Sequence, residues 1–139
     1  MGMDAAVTRL EVTGAAIAVM VADAARAAPL ECCGLLLGQE LGQITQARPA
    51  TNVHGDPARH FEIDPAALIA AYRNARAGGP ALLGFYHSHP NGHPRPSASD
   101  CEHAGGDGRV WAIIADGQPR FWRDTPEGFM EVSSTVVGD

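Results

Sequence analysis

Two histidines two positions apart, His87 and His89, are the first residues of this chain whose types and spacing could do chemistry. They fall at the end of residues 81–88, the run with the strongest strand character in the chain. A strand alternates its side chains with period two, so both imidazoles leave one face and two nitrogens can converge on one ion. Pro90 ends the strand. Residues 90–96 hold three prolines and a glycine, which excludes regular structure and makes a stiff loop. The loop returns the chain to a helix start that carries Asp100. Two histidines and one carboxylate leave a fourth position for water, the arrangement of a catalytic zinc site. Zinc brings the pKa of such a water to about 7, and a neighbouring carboxylate must still carry the proton to the leaving amine. Plainer readings stand beside this one. A His-x-His pair alone is as compatible with ordinary histidines as with ligands. Ser97-x-x-Asp100 is also a capping-box pattern with Asp in place of Glu. The two readings are compatible, because Ser97 can cap a helix by its position while its hydroxyl faces a metal.

The elements that must position these residues can be read in outline. Residues 8–13 alternate like a short strand with Leu10 and Val12 on one face. Residues 14–27 are Ala-rich and predict a largely buried helix that ends near Pro29. Residues 33–38 predict a short buried strand between glycines, and Gly42 turns the chain into a second strand over 43–49. Residues 51–59 are a polar loop, and 61–63 a short strand. Asp64-Pro65 is a helix start with Asp as N-cap, and that helix runs through Leu68, Ile69 and Tyr72 to Gly78-Gly79. A short helix follows over 97–104. Residues 110–115 and 119–123 form a hairpin around Asp116-Gly117, and 129–137 a last strand. Helices and strands alternate early and strands dominate late, which predicts an α+β fold or αβα sandwich.

These residues resemble a known family. His-Ser-His-Pro, six residues, then Ser-x-x-Asp is similar to the signature of the JAMM/MPN+ metalloproteases. The stretch Pro29-Leu30-Glu31-Cys32-Cys33-Gly34-Leu35-Leu36-Leu37-Gly38 resembles that family's glutamate-bearing segment leading into a buried strand. Asn52, Phe61 and Asp64-Pro65 sit where short bacterial members carry similar residues. The resemblance extends over nearly the whole chain and implies one domain, residues 1–139. It implies an αβα sandwich of deaminase-like type around a mixed central sheet. It implies His87, His89 and Asp100 as ligands of one zinc ion, Glu31 as the general base and Ser97 as the oxyanion donor. Without it, Glu31 stands among Glu11, Glu40, Glu62 and Glu102 as one acid of several. Its physical distinction is its place just before a buried strand, where a carboxylate is otherwise a poor choice.

Composition narrows the class. A chain of 139 residues can bury a core without disulfides or a structural metal. A formal charge of −6 gives no footprint for nucleic acid or anionic lipid. Three cysteines, at 32, 33 and 101, make neither a disulfide framework nor a zinc ribbon, which points to a reducing compartment. Contacts of Cys101 with Cys32 or Cys33 are conceivable, as is a cysteine in the metal site, but buried free thiols are the simpler reading. Asp4 and Glu11 precede the apolar stretch 15–21 with only Arg9 to oppose them, so it lacks the basic flank of a signal peptide. Asp23 and Arg26 stop it short of a membrane span. The expected location is the cytoplasm. His93 is expected near the substrate path or as a fourth ligand, and His54, His60 and His103 as ordinary histidines. There is no His-Glu-x-x-His, no zinc-deaminase signature and no Gly-x-Ser-x-Gly.

The resemblance is to compact bacterial members, because the stretch between Asp100 and residue 110 is short and no second insertion is evident. It implies a peptidase or isopeptidase that cuts after the C-terminal Gly-Gly of a ubiquitin-like sulfur-carrier protein, releasing an amino acid or another attached group. The expected docking mode is strand addition beside the active-site strand. The alternatives are a non-catalytic scaffold of the same fold and a general small-peptide metallopeptidase.

Overall fold

Thr13 closes one element and opens the next. The computed structural model describes residues 9–138, so Thr8, at the start of the first expected strand, lies outside the described residues. Strand β1 (Arg9–Thr13) buries Leu10 and Val12 completely, as the alternation predicts. The Thr13 hydroxyl oxygen then accepts the Ala16 N–H at 3.2 Å and caps helix α1 (Gly14–Ala27). This helix buries Ala16, Met20 and Asp23, a stripe at spacings of four and three. Pro29 follows just past its end.

Strand β2 (Cys33–Gly38) is buried along its whole length because it has cover on both faces. Leu36 faces α1 with Leu10, Met20, Tyr86, Ala112 and Ile114. Leu35 and Leu37 face the opposite side with Ile63 and Ala71. Each fully buried leucine is worth about 1.5–3 kcal/mol. The expected strand over 43–49 is two strands. Strand β3 (Gln43–Ile44) pairs with β1, and β4 (Gln46–Ala50) pairs with β2. Thr45 makes the break: its N–H bonds the Leu37 carbonyl at 2.9 Å and its own carbonyl accepts the Thr13 hydroxyl at 3.2 Å. The 61–63 strand shrinks to a single bridge between Asn52 and Ile63.

Asp64 caps helix α2 (Pro65–Arg76) by accepting the Ala66 N–H at 3.0 Å, with Pro65 in the first turn. Ala71 and part of Leu68 face the core, whereas Ile69 and Tyr72 are exposed. Strand β5 (Ala81–Ser88) leads through the proline loop to helix α3 (Ala98–His103). Strands β6 (Val110–Ala115), β7 (Gln118–Thr125) and β8 (Gly128–Val137) complete a mixed sheet of order β3-β1-β8-β7-β6-β5-β2-β4. Asp116 and Gly117 both have positive φ, 53° and 75°, as the tight hairpin between β6 and β7 requires.

The two ends of that strand order, β3 and β4, are joined in sequence by Thr45 alone. The sheet therefore curls round α1, and the larger core lies inside the curl. The α+β expectation with helices on both faces of a mixed sheet agrees with this architecture. The expected docking mode does not. Strand β5 is hydrogen-bonded to β2 on one side and to β6 on the other, so no substrate strand can add beside it. The nearer free edge is β4, and it carries Pro49, which donates no hydrogen bond.

Candidate metal centre

His87 and Cys33 are register partners across β5 and β2, so the end of β5 and the start of β2 meet. His89 lies just past β5 yet continues the ladder, its N–H bonding the Ile114 carbonyl at 2.9 Å. Both imidazoles therefore stay on one face. Asp100 returns to the same point from α3. His87 Nε2 is 3.1 Å from His89 Nε2 and 3.2 Å from Asp100 Oδ2, and His89 Nε2 is 3.2 Å from the same oxygen. The three atoms form a nearly equilateral triangle. A tetrahedral ion with bonds of 2.0–2.1 Å spaces its ligand atoms by about 3.3 Å, so the triangle is one face of such a tetrahedron.

The chemistry of the donors fits as well as the spacing. His89 donates its Nδ1 hydrogen to the His93 carbonyl at 2.7 Å, which leaves a lone pair on Nε2. Burial holds the His87 imidazole below its usual pKa, in the neutral form that ligates. Its ring is clamped by Phe61, stacked at 4.2 Å, and by the edge contact with Trp111 at 5.8 Å. Its Nδ1 is buried and has no hydrogen-bond partner. Burial pushes the Asp100 carboxyl up, but His87, His89 and the Ser97 N–H outweigh it and leave it well below the usual carboxylate range. Burial pulls His89 down, while Asp100, the His93 carbonyl and Glu31 outweigh it, so the net direction is up. Acceptor atoms thus converge on a point where only a proton or a cation satisfies them. The His-His-Asp cluster fits a metal site.

The capping box and the ligand reading of Ser97-x-x-Asp100 are one arrangement. Ser97 Oγ accepts the Asp100 N–H at 3.1 Å, and the Ser97 N–H donates to Asp100 Oδ2 at 2.9 Å. That oxygen is the one facing both histidines, so the cap orients the candidate ligand. Because Ser97 Oγ uses a lone pair for the cap, its hydrogen is free for the cleft it lines.

Glu31 reaches the site through backbone contacts. Its N–H bonds the Pro57 carbonyl at 2.8 Å, and its carbonyl accepts from Asn52 Nδ2 at 3.0 Å. Asn52 Nδ2 also bonds the His60 carbonyl, and its oxygen accepts from His54 and Glu62. The next residue, Cys32, donates its N–H to Ser88 Oγ at 2.8 Å, and its carbonyl accepts the Ser88 N–H at 3.2 Å. The Glu31 side chain is 7% exposed. Burial pushes its carboxyl up to about 7; His89 opposes this, and Asp100 and Asp56 add to it. It lines a cleft of ≈ 570 Å³ together with His89, Ser97, Arg59, Arg95 and Pro96.

Behind the site, Tyr86 donates its hydroxyl to Asp23 Oδ2 at 2.8 Å, and Arg26 bonds the other Asp23 oxygen. Tyr86 needs Gly34 opposite it, because a Cβ there would stand 2.3 Å from the ring. Ser88 and the Tyr86–Asp23 pair are structural supports of the site's strands that sequence reasoning misses. The signal for Ser88 is its place between the histidines, where period two throws a hydroxyl onto the opposite, buried face. His60 holds α3 through Ser99 Oγ at 3.1 Å, and His93 is exposed at the cleft. All three cysteines are free. Cys32 and Cys33 are buried, and burial pushes their thiols up to about 12, while Cys101 is exposed on α3. Cys101 forms no disulfide with Cys32 or Cys33, and the candidate metal cluster among the described residues includes no cysteine.

The mixed sheet curled round one helix is a fold shared with JAB1/MPN domain proteins. A JAB1/MPN domain protein from Archaeoglobus fulgidus superposes with a TM-score of 0.60 at 18% identity, over 91% of this chain and 99% of that one. A protein from Desulfitobacterium hafniense solved in solution superposes with a TM-score of 0.82 at 29% identity, over 94% of each chain. Residues 14–125 match the family of prokaryotic homologs of the JAB domain, and the chain belongs to that family. It is 36% identical over 110 residues, 78% of this chain and 79% of the relative, to a desampylase of Haloferax volcanii. It is 38% identical over 79 residues to a protein of Thermus thermophilus named as a probable TtuB-protein conjugate cleaving protease, over 57% of this chain and 52% of that one.

Proposed function

We propose that this chain is a zinc-dependent peptidase or isopeptidase that hydrolyses the bond after the C-terminal Gly-Gly of a ubiquitin-like sulfur-carrier protein. The observation that carries the reading is the triangle of His87, His89 and Asp100 beside a carboxylate whose pKa is near neutrality. The family and the conjugate-cleaving names of its relatives support the substrate class. His87, His89 and Asp100 would hold one ion. When bound, zinc supplies Lewis acidity that brings the pKa of water to about 7.

The chain's own residues do the rest. Glu31, which lines the cleft with His89 and Ser97, takes a proton from the attacking water in its carboxylate form. As the C–N bond breaks, it returns that proton to the leaving nitrogen. Ser97 donates its free hydroxyl hydrogen to the carbonyl oxygen as charge develops there. Ser88 and Asn52 fix the backbone on either side of Glu31, so the base is held in place before substrate arrives. Residues 1–139 act as one catalytic unit in this reading. Three free thiols fit a reducing compartment, and we assign the protein to the cytoplasm. Among the described residues no helix is long and apolar enough to cross a membrane.

The test is metal analysis of the purified protein, with turnover measured before and after chelation. The substrate panel is carrier–amino-acid and Gly-Gly isopeptide conjugates beside simple dipeptides. One zinc per chain and chelator-sensitive cleavage of the conjugates are expected. If every conjugate stays intact while dipeptides are cut, the carrier assignment fails.

A further inference from the structure

Arg59 and Arg95 line the catalytic cleft, and neither makes an ion pair or a side-chain hydrogen bond among the described residues. Arg26, Arg109 and Arg120 are engaged with Asp23, Asp107 and Glu131; Arg48, Arg73 and Arg76 are likewise without an ion pair among the described residues, but none of the three lines this cleft. The chain carries a formal charge of −6, with sixteen acidic residues to ten basic ones. Two unpaired cations at one cleft therefore run against the overall charge. Among the described residues that line the cleft, Glu31 is the only acid, and the proposed reaction uses it.

Both arginines stand on backbone that is already fixed. The Arg59 N–H bonds the Asp56 carbonyl at 3.2 Å, within the loop that also holds Glu31 through Pro57. Arg95 lies between Pro94 and Pro96, and Trp122 Nε1 donates to the Pro94 carbonyl at 3.1 Å. Proline on either side narrows the conformations open to Arg95. A guanidinium group presents a planar fork of donors matched to a carboxylate, and a fixed backbone lowers the entropy lost on binding one.

We propose that Arg59 and Arg95 are specificity residues that recognise a carboxylate on the conjugate, next to the bond being cut. This rests on the peptidase reading above. A carboxylate so placed has two sources. One is the free α-carboxylate of an amino acid attached through its amine, the other an acidic side chain in the carrier tail.

The experiment compares kcat/KM for three carrier–Gly-Gly conjugates: one bearing an amino acid with a free α-carboxylate, one bearing the corresponding α-amide, and one with the α-amide and an acidic residue in the tail. Each is assayed with the wild-type zinc-loaded protein and with Arg59→Gln, Arg95→Gln and Arg95→Lys. Wild type should prefer a carboxylate-bearing conjugate over the plain amide by roughly ten- to a hundredfold, mainly through KM. Either glutamine variant should collapse that ratio towards one, and lysine should restore only part of it. Raising ionic strength should shrink the ratio too. Preference for the first conjugate assigns the α-carboxylate, and preference for the third assigns the tail. Equal use of all three, or a ratio that survives both glutamine variants, overturns the proposal while leaving the peptidase reading intact. No cleavage of any conjugate overturns both.

Discussion

Replacing Glu31 by Gln separates the proposed base from the proposed ligands and tests the electrostatics of the site in one variant. Glu31 is buried, and its carboxyl sits at about 7 rather than the ordinary 4.5. Activity should fall by about 10²–10⁴-fold, because a neutral amide cannot take a proton from water. Zinc content should not change; its loss would make Glu31 a ligand instead. Stability should move the opposite way. A carboxyl whose folded pKa is raised keeps its proton more firmly when folded, so its contribution is fully present below the unfolded pKa near 4.5. It is lost as pH rises through the folded value near 7. A shift of about 2.5 units at 1.36 kcal/mol each sets an upper limit of about 3 kcal/mol. The metal-free glutamine variant should therefore be close to wild type at pH 5 and more stable by up to about 2–3 kcal/mol at pH 8. Urea denaturation of both metal-free proteins at the two pH values measures this. An advantage that is the same at both pH values, or absent at pH 8, would refute the argument that burial strains this carboxylate. A stability cost at Glu31 is what its proposed role as the base leads one to expect.

Ser97→Ala removes the helix cap and the hydroxyl donor together, so it should cost about 0.5–2 kcal/mol in a melt and about 10²–10³ in kcat. Ser97→Asp should restore the melt but not the turnover, since Asp caps well and has no hydroxyl to donate. His89→Ala should abolish zinc binding and leave the circular dichroism spectrum unchanged, because the cores on either side of the sheet do not depend on the ion; loss of the fold on chelation would contradict this. Tyr86→Phe leaves Asp23 buried without its hydroxyl donor, and a midpoint shift worth about 1.5–3 kcal/mol is expected in denaturant titration.

What the sequence determines by itself is local. Period two sends His87 and His89 to one face and Ser88 to the other. The spacing of Ser97 and Asp100 makes a capping box, and that box delivers the Asp100 oxygen that faces the histidines. The bounds of α1, β2 and β5 are legible because caps, prolines and apolar runs act within a few residues. The tertiary structure decides what depends on distant partners. Locally, Glu31 is marked apart from the other glutamates only by its place just before the buried strand 33–38, which does not show what its carboxylate faces. Its place follows from the pairing of β2 with β5 and from Ser88, Asn52 and Pro57, which lie 21 to 57 positions away. The division of 43–49 at Thr45 is likewise invisible locally, because each half has equal strand character and only the curl of the sheet assigns them to different neighbours. The same pairing encloses β5 between β2 and β6 and so removes it as a docking edge. A strand's pattern records which faces are covered. Its edges are settled only when the partner strands arrive from elsewhere in the chain.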